Sequence, residues 1–198
     1  MTKPLRLLAL DTGTAEQHVG VAHLHSHGGE AALWLHSGNG GAQASLSLIP
    51  TVLDLLNQTH TPLAGLDALV FGRGPGSFTG LRTACAVVQG LAYGARSDTH
   101  PQGLPVLGID SLMAVAEDAR QHWHTEHASV PGTPLTVTAL LDARMDEVYA
   151  ATYTFADATQ PRATLAGGPW LLKPEQVAGL LAPTAHPQLL AGNAFDAY

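Results

Sequence analysis

Phe71-Gly72-Arg73-Gly74-Pro75-Gly76-Ser77-Phe78-Thr79-Gly80-Leu81-Arg82 decides how this chain is read. Four glycines and a proline separate an apolar run, Leu66 to Phe71, from a longer one, Leu81 to Tyr93. Glycine admits positive φ and close approach of other backbone, and proline fixes a turn. The pattern predicts a strand over Leu66–Phe71, a tight connection, and a helix over Thr79–Tyr93. It also excludes three enzyme signatures. No lysine follows Gly80, so the phosphate-cradling G-x-x-x-x-G-K-S/T loop is absent. Gly80 lies one residue too far along for the dinucleotide G-x-G-x-x-G that Gly74 and Gly76 would begin. Around Ser77 the glycines miss the G-x-S-x-G offsets, and no His/Asp partners can be assigned, which removes a Ser77 peptidase. Gly72, Arg73, Gly74, Pro75, Gly76, Ser77 and Gly80 then read as a structural loop closing a β–α corner.

Outward from this loop, Leu5–Leu10 is an apolar strand ending in the turn Asp11-Thr12-Gly13-Thr14. Val19–Leu24 and Ala31–His36 complete two antiparallel hairpins. Ser37–Gly41 is a loop, and Ala42–Gln58 a helix in which Pro50 marks a start or a kink. Beyond the second helix come a polar connection (Ala95–Gly103), a short strand (Val106–Ile109) and a helix over Ser111–Gln121 capped by Asp110 or Ser111. His122–Pro134 reads as a loop, Leu135–Leu141 as a strand ending on Asp142, and Glu147–Phe155 as an alternating strand. Pro174–Leu181 is a short helix, and Leu189–Ala191 begins another strand. One pattern recurs: an apolar strand, a terminal aspartate, a tight turn and a second strand, at Leu7–Asp11 and again at Thr138–Asp142. Two lobes opening on the same hairpin point to an α/β protein with mixed sheets flanked by helices. That is the two-lobe actin-like (ASKHA, ribonuclease H-like) architecture, with lobes over 1–108 and 109–198.

The 198 residues suffice for a real core. Hydrophobic residues make up 45% and charged ones 13%, which excludes a disordered chain. The net charge of −7, with only Lys3 and Lys173 as lysines, makes a poor nucleic-acid clamp, because phosphate binding rests on Lys/Arg and counterion release. A single cysteine, Cys85, rules out an internal disulfide and a Cys-rich zinc site and fits a reducing compartment. It lies in an apolar run and reads as a structural thiol. No signal-peptide core or apolar run of membrane-spanning length is present, so the expectation is a cytoplasmic protein.

Three groups of residues carry the candidate chemistry. Asp11, Thr12, Gly13 and Thr14 suit either a phosphate- or Mg²⁺-facing turn or a hairpin turn in which Asp and Thr bond local backbone. Asp142 poses the same alternatives. Eleven histidines, including His23, His25 and His27 and the set His122, His124 and His127, raise a metal site, but no carboxylate completes a ligand set. They read as solvated surface residues. The helices are the third group. Leu46, Ile49, Leu53 and Leu56 form one stripe, and Leu48, Val52 and Leu55 an adjoining one, together wider than one core contact needs. Leu81, Ala84, Cys85, Val87, Val88, Leu91 and Ala92 leave the second helix apolar nearly all round. Either that helix is buried inside its own domain, or a partner covers its outer face. The expected docking residues are Leu46, Ile49, Val52, Leu53, Leu56, Leu81, Ala84, Cys85, Val88 and Leu91.

Five segments in order carry a family resemblance: Leu8–Thr12, Gly72–Arg82, Gln89–Ala92, Gly108–Leu112 and Asp142–Tyr149. With them the chain resembles the TsaB (YeaZ) family, accessory subunits for threonylcarbamoyladenosine in tRNA, from about Leu5 to its last residue. The resemblance implies the actin-like fold and a non-catalytic subunit that pairs with the catalytic paralogue TsaD and is joined by the ATPase TsaE. TsaC would supply threonylcarbamoyl-adenylate, and TsaD would transfer the group to an adenosine beside the anticodon. The implied pairing surface is the two helices, here Ala42–Gln58 and Thr79–Tyr93; because uncovered apolar helices seek cover, self-pairing through them is the expectation for the chain alone. No cofactor is implied for this chain, since ATP and Mg²⁺ act in partner subunits, and tRNA is reached only through the complex. There are two departures. Ala44-Ser45-Leu46-Ser47 stands where the family often has a histidine. The chain also stops at Tyr198, where members usually continue: either it is truncated, which would expose core in the second lobe, or the protein is short. The competing class is an ATP-dependent kinase or hydrolase of the same fold, with Asp11 and Asp142 holding Mg-nucleotide.

Overall fold

The first strand, β1 (Leu5–Asp11), alternates inward Leu8 and Leu10 with outward Leu7 and Ala9, and every element of the first half is built around it. In this computed structural model, which describes residues 3–25, 31–181 and 185–198, the chain divides into two compact units, Met1–Ile109 and Asp110–Tyr198. In the first unit β1, β2 (Glu16–Leu24) and β3 (Ala32–Asn39) form an antiparallel meander. Helix α1 (Ala44–Gln58) then carries the chain across to β4 (Ala68–Gly72), parallel to β1. Helix α2 (Phe78–Gly94) leads on to β5 (Val106–Ile109), parallel to β4. Parallel neighbours need such helical crossovers. The sheet order is β3-β2-β1-β4-β5.

The core of this unit lies between one sheet face and the two helices. Leu8, Leu10, Val19, Val21 and Leu69 meet Leu48, Val52, Leu55 and Leu56 of α1 and Ala84 and Val88 of α2. The α1 residues recur at the spacing of a single helix face. The opposite sheet face is apolar too, and Leu5, Leu33, Leu35 and Leu107 on it are exposed.

The second unit repeats the design. Helix α3 (Ser111–His127) precedes a meander of β6 (Leu135–Arg144), β7 (Glu147–Phe155) and β8 (Ala163–Leu172), and β9 (Gln188–Ala191) pairs parallel with β6. The order β8-β7-β6-β9 matches β3-β2-β1-β4, so the recurring strand–aspartate–strand pattern corresponds to a repeated sheet topology. Arg120 is buried in this unit, clamped by both carboxylate oxygens of Glu117 at 2.9 and 2.6 Å and by the Ala158 carbonyl at 2.6 Å.

Three expectations are corrected. Helix α3 runs six residues past Gln121, through a segment expected to be a loop. Its last turns hide their apolar side: Trp123 packs on the core and stacks on His127 at 3.6 Å, while the outward residues are polar. His122 and Thr125 even bond helix carbonyls four residues back, at 2.9 Å each. Strand β8 was not expected at all. Gly167-Gly168-Pro169 breaks its alternation and coincides with a register shift against β7, which proline tolerates because β8 is an edge strand. The helix expected over Pro174–Leu181 is a 3₁₀ helix, Pro174–Leu180. Among the described residues no helix is long and apolar enough to cross a membrane.

Candidate functional site

The glycine-rich loop and the β1–β2 turn form one structure. Asp11 Oδ1 accepts the Gly13 N–H at 2.6 Å. Thr12 is fully buried, and its hydroxyl donates to the Gly80 carbonyl at 2.7 Å. The Ser77 N–H donates to the Gly13 carbonyl at 2.6 Å, and Ser77 Oγ accepts from Gly80 N at 3.4 Å, capping α2. A Cβ on Gly76 would stand 2.6 Å from the Gly13 carbonyl oxygen, and one on Gly80 would overlap the Thr12 carbonyl. The glycines are there so that the first turn of α2 can lie directly on the turn after β1. Arg73 is exposed, and its N–H donates to the Ile109 carbonyl at 2.8 Å.

The second unit treats its aspartate the same way. Asp142 Oδ1 accepts the Arg144 N–H at 2.8 Å, two residues on, as Asp11 does from Gly13. The Arg144 guanidinium sits 3.1 Å from Oδ2, and Tyr198 donates its hydroxyl at 3.2 Å. Arg144, Met145 and Asp146 all have φ near +60°, and the aspartate ties down this left-handed turn. Asp11 and Asp142 thus each bind an amide of their own turn through Oδ1, while the Thr12 hydroxyl is taken up by α2. Such engagement fits the hairpin-turn alternative rather than a phosphate-facing one.

Among the described residues, no three His, Cys, Asp or Glu side chains stand close enough to hold a metal ion. His27 lies outside the described residues. His122, His124 and His127 ride on α3 rather than in a loop. His23 has a structural partner: its Nε2 is 2.9 Å from Thr61 Oγ1, and its ring meets Trp34 edge-on at 4.9 Å. Burial, then the positive charges of Arg6 and His25, hold its imidazolium below the usual histidine range. A folded pKa below the unfolded one gives stability that is complete above about pH 6.5 and is lost as pH falls through the folded value. The denaturant midpoint is expected to fall between pH 7 and pH 5, and His23→Gln to flatten part of that fall. Identical profiles would exclude the contribution.

The helices turn real apolar surface outward, but not all the residues expected there. Val52, Ala84 and Val88 are buried in the unit's own core, so they present nothing to a partner and are corrected as docking residues; Leu56 is buried in the same core and reaches the surface only as part of the wall of a cavity at the end of α1. Leu46, Ile49 and Leu53 stand 81%, 46% and 52% exposed in a row on the far side of α1. Leu81, Cys85 and Leu91 are half-buried on the flanks of α2. The arc of α2 that does face out was missed. It carries Phe78 and Tyr93, exposed at 67% and 64%, with the Arg82 and Arg96 guanidinium groups stacked over their rings at 4.0 and 3.9 Å. Ala86 and Gly90 lie between them, also exposed. The signal was available: at about 100° per residue Phe78, Arg82, Gln89 and Tyr93 project on one side, opposite Ala84, Val88 and Leu91.

The family profile described as "TsaD: tRNA N6-adenosine threonylcarbamoyltransferase" matches residues 41–195. The tRNA threonylcarbamoyladenosine biosynthesis protein TsaB of Escherichia coli is 36% identical over 156 residues, covering 75% of this chain and 55% of that protein. An uncharacterized protein of Mycobacterium tuberculosis is 33% identical over 190 residues, covering 91% of this chain and 78% of that one. Among solved structures, YeaZ from Pseudomonas aeruginosa superposes with a TM-score of 0.72 at 35% identity, over 97% of this chain and 78% of that one. The paired sheets with their flanking helices define a two-lobe protein of the actin-like fold. More particularly, the chain belongs to the TsaB (YeaZ) family. It spans about half the length of the curated Escherichia coli and Haemophilus influenzae relatives it matches.

Proposed function

We propose that this chain is a non-catalytic pairing subunit in tRNA threonylcarbamoyladenosine synthesis. It docks TsaD through the outward arcs of α1 and α2, in an assembly that TsaE joins. The assembly transfers threonylcarbamoyl to N6 of adenosine-37 in tRNAs reading codons that begin with adenine. The observation that carries the reading is the row Leu46, Ile49 and Leu53, large aliphatic side chains left in water on a helix whose other side already fills a core. Two further features support it. The chain's acidity leaves tRNA binding to a more basic partner. Asp11 and Asp142 each hold an amide of their own turn through Oδ1, and the Arg144 guanidinium and the Tyr198 hydroxyl also occupy Asp142, which supports assigning ATP and Mg²⁺ to partner subunits rather than to a kinase-like site here. Alone, the same arcs serve self-pairing, and the working compartment is the cytoplasm.

Titration of the chain against TsaD by calorimetry tests the reading. Leu46→Asp combined with Leu53→Asp is expected to weaken pairing at least about 100-fold, in line with the loss of two interface anchors. Circular dichroism should be unchanged, because both side chains are already exposed. Undiminished affinity would contradict the docking face, and Mg-dependent ATP turnover by the isolated chain would contradict the non-catalytic role.

A further inference from the structure

The apolar row on α1 runs into a depression at the helix's C-terminal end. Leu46, Ile49 and Leu53 continue at helix spacing to Asn57, which is exposed on the same side. Leu53 and Asn57 then form one wall of an open cavity of about 390 Å³, whose remaining lining is Leu56, His60, Thr61, Pro62 and Leu63. Its walls are apolar, from Leu53, Leu56, Pro62 and Leu63, and its polar groups are Asn57, His60 and Thr61.

The cavity is shaped by an abrupt end to α1. Thr59 and Thr61 N–H groups donate to the Leu55 and Leu56 carbonyls at 3.0 and 2.9 Å, and His60 takes φ +50°. The chain therefore turns back sharply, and Pro62 and Leu63 stand beside the last turn of the helix. The turn is pinned from beneath. Thr59 Oγ1 donates to Thr61 Oγ1 at 3.1 Å, and Thr61 Oγ1 meets His23 of β2 at 2.9 Å. Such a cavity is held open by the fold and does not need a ligand to form it.

We infer that this depression is the anchor socket of the docking face, receiving one bulky aliphatic or aromatic side chain from the pairing subunit. The inference rests on the docking reading above and deepens it. Leu53 belongs to both the exposed row and the cavity wall, so a partner covering the row also covers the cavity mouth. Binding energy at interfaces concentrates where a large side chain fills a pocket that surrounding, energetically near-neutral contacts close off from water. Here that place is at the end of α1, and the row from Leu46 to Leu53 contributes surrounding contact.

The test fills the socket from its rim. Asn57→Trp places an indole over the cavity, and Pro62→Trp does so from the opposite side, both at exposed positions that leave the core untouched. Calorimetric titration against TsaD is expected to show each weakening pairing by about 30-fold or more, with the thermal midpoint unchanged. Asn57→Ala, which widens the cavity mouth, should stay within about threefold of wild type. If both tryptophan variants bind like wild type while Leu46→Asp abolishes pairing, the socket is wrong and the docking face stands. If none of the three alters binding, the docking reading itself fails.

Discussion

Gly80→Ala is expected to destabilise the first unit by about 3 kcal/mol or more, because the new methyl would occupy the position of the Thr12 carbonyl oxygen. Neither partner can yield. Thr12 is fully buried, and its hydroxyl is bonded to the carbonyl of Gly80 itself. Moving α2 away would also break the Ser77 N–H bond to the Gly13 carbonyl. Against a total stability on the order of 5–15 kcal/mol, this is a large fraction. Gly90→Ala on the same helix is the control. Nothing lies within 4 Å of a Cβ there, so alanine should stabilise the isolated chain by up to about 1 kcal/mol through helix propensity. Thermal unfolding of the two variants checks both signs. Equal stabilities would remove the claim that the glycine-rich loop exists to seat α2 on the β1–β2 turn.

Val88→Glu has the second large effect. Val88 is 1% exposed and packs among the core residues of the first unit. A carboxylate there has no partner and would either stay charged at high cost or take up a proton, and the valine's packing is lost as well. The expected loss is on the order of 4 kcal/mol or more. The variant should therefore lose cooperative unfolding, and any failure to pair would reflect unfolding rather than a broken interface. A Val88→Glu chain with a native melting curve would show that α2 is seated differently from the arrangement described here.

The contrast between Val88 and Leu53 shows where the sequence was legible. The repeated strand–aspartate–strand pattern and the glycine-rich loop could be read directly, because tight turns place narrow demands on residue type. That a helix had more apolar surface than one contact needs could also be read. Which arc faces inward could not. Val52 and Leu53 are adjacent and equally apolar, yet one is buried and the other half in water, and only the sheet beneath α1 distinguishes them. On α2 the small apolar residues turned inward, while the outward side took Phe78, Tyr93 and two stacked arginines, an arc that the 100° projection marks but that a search for apolar stripes passes over. Strand β8 was hidden by Gly167-Gly168-Pro169, and the end of α3 by its polar outer face. The sequence also left the Asp11 turn open between two roles, and the bonds from Gly13 and to Gly80 favour the structural one.

The account turns on the outward arcs of α1 and α2 being the surface that meets a partner. Hydrogen–deuterium exchange of the chain alone and mixed with TsaD measures this directly. The account predicts new protection over Ala44–Gln58, over the turn at His60–Leu63 and over Phe78–Gly94, with the second unit's sheet unchanged. Protection confined to other segments, with α1 exchanging as it does in the free chain, would contradict it.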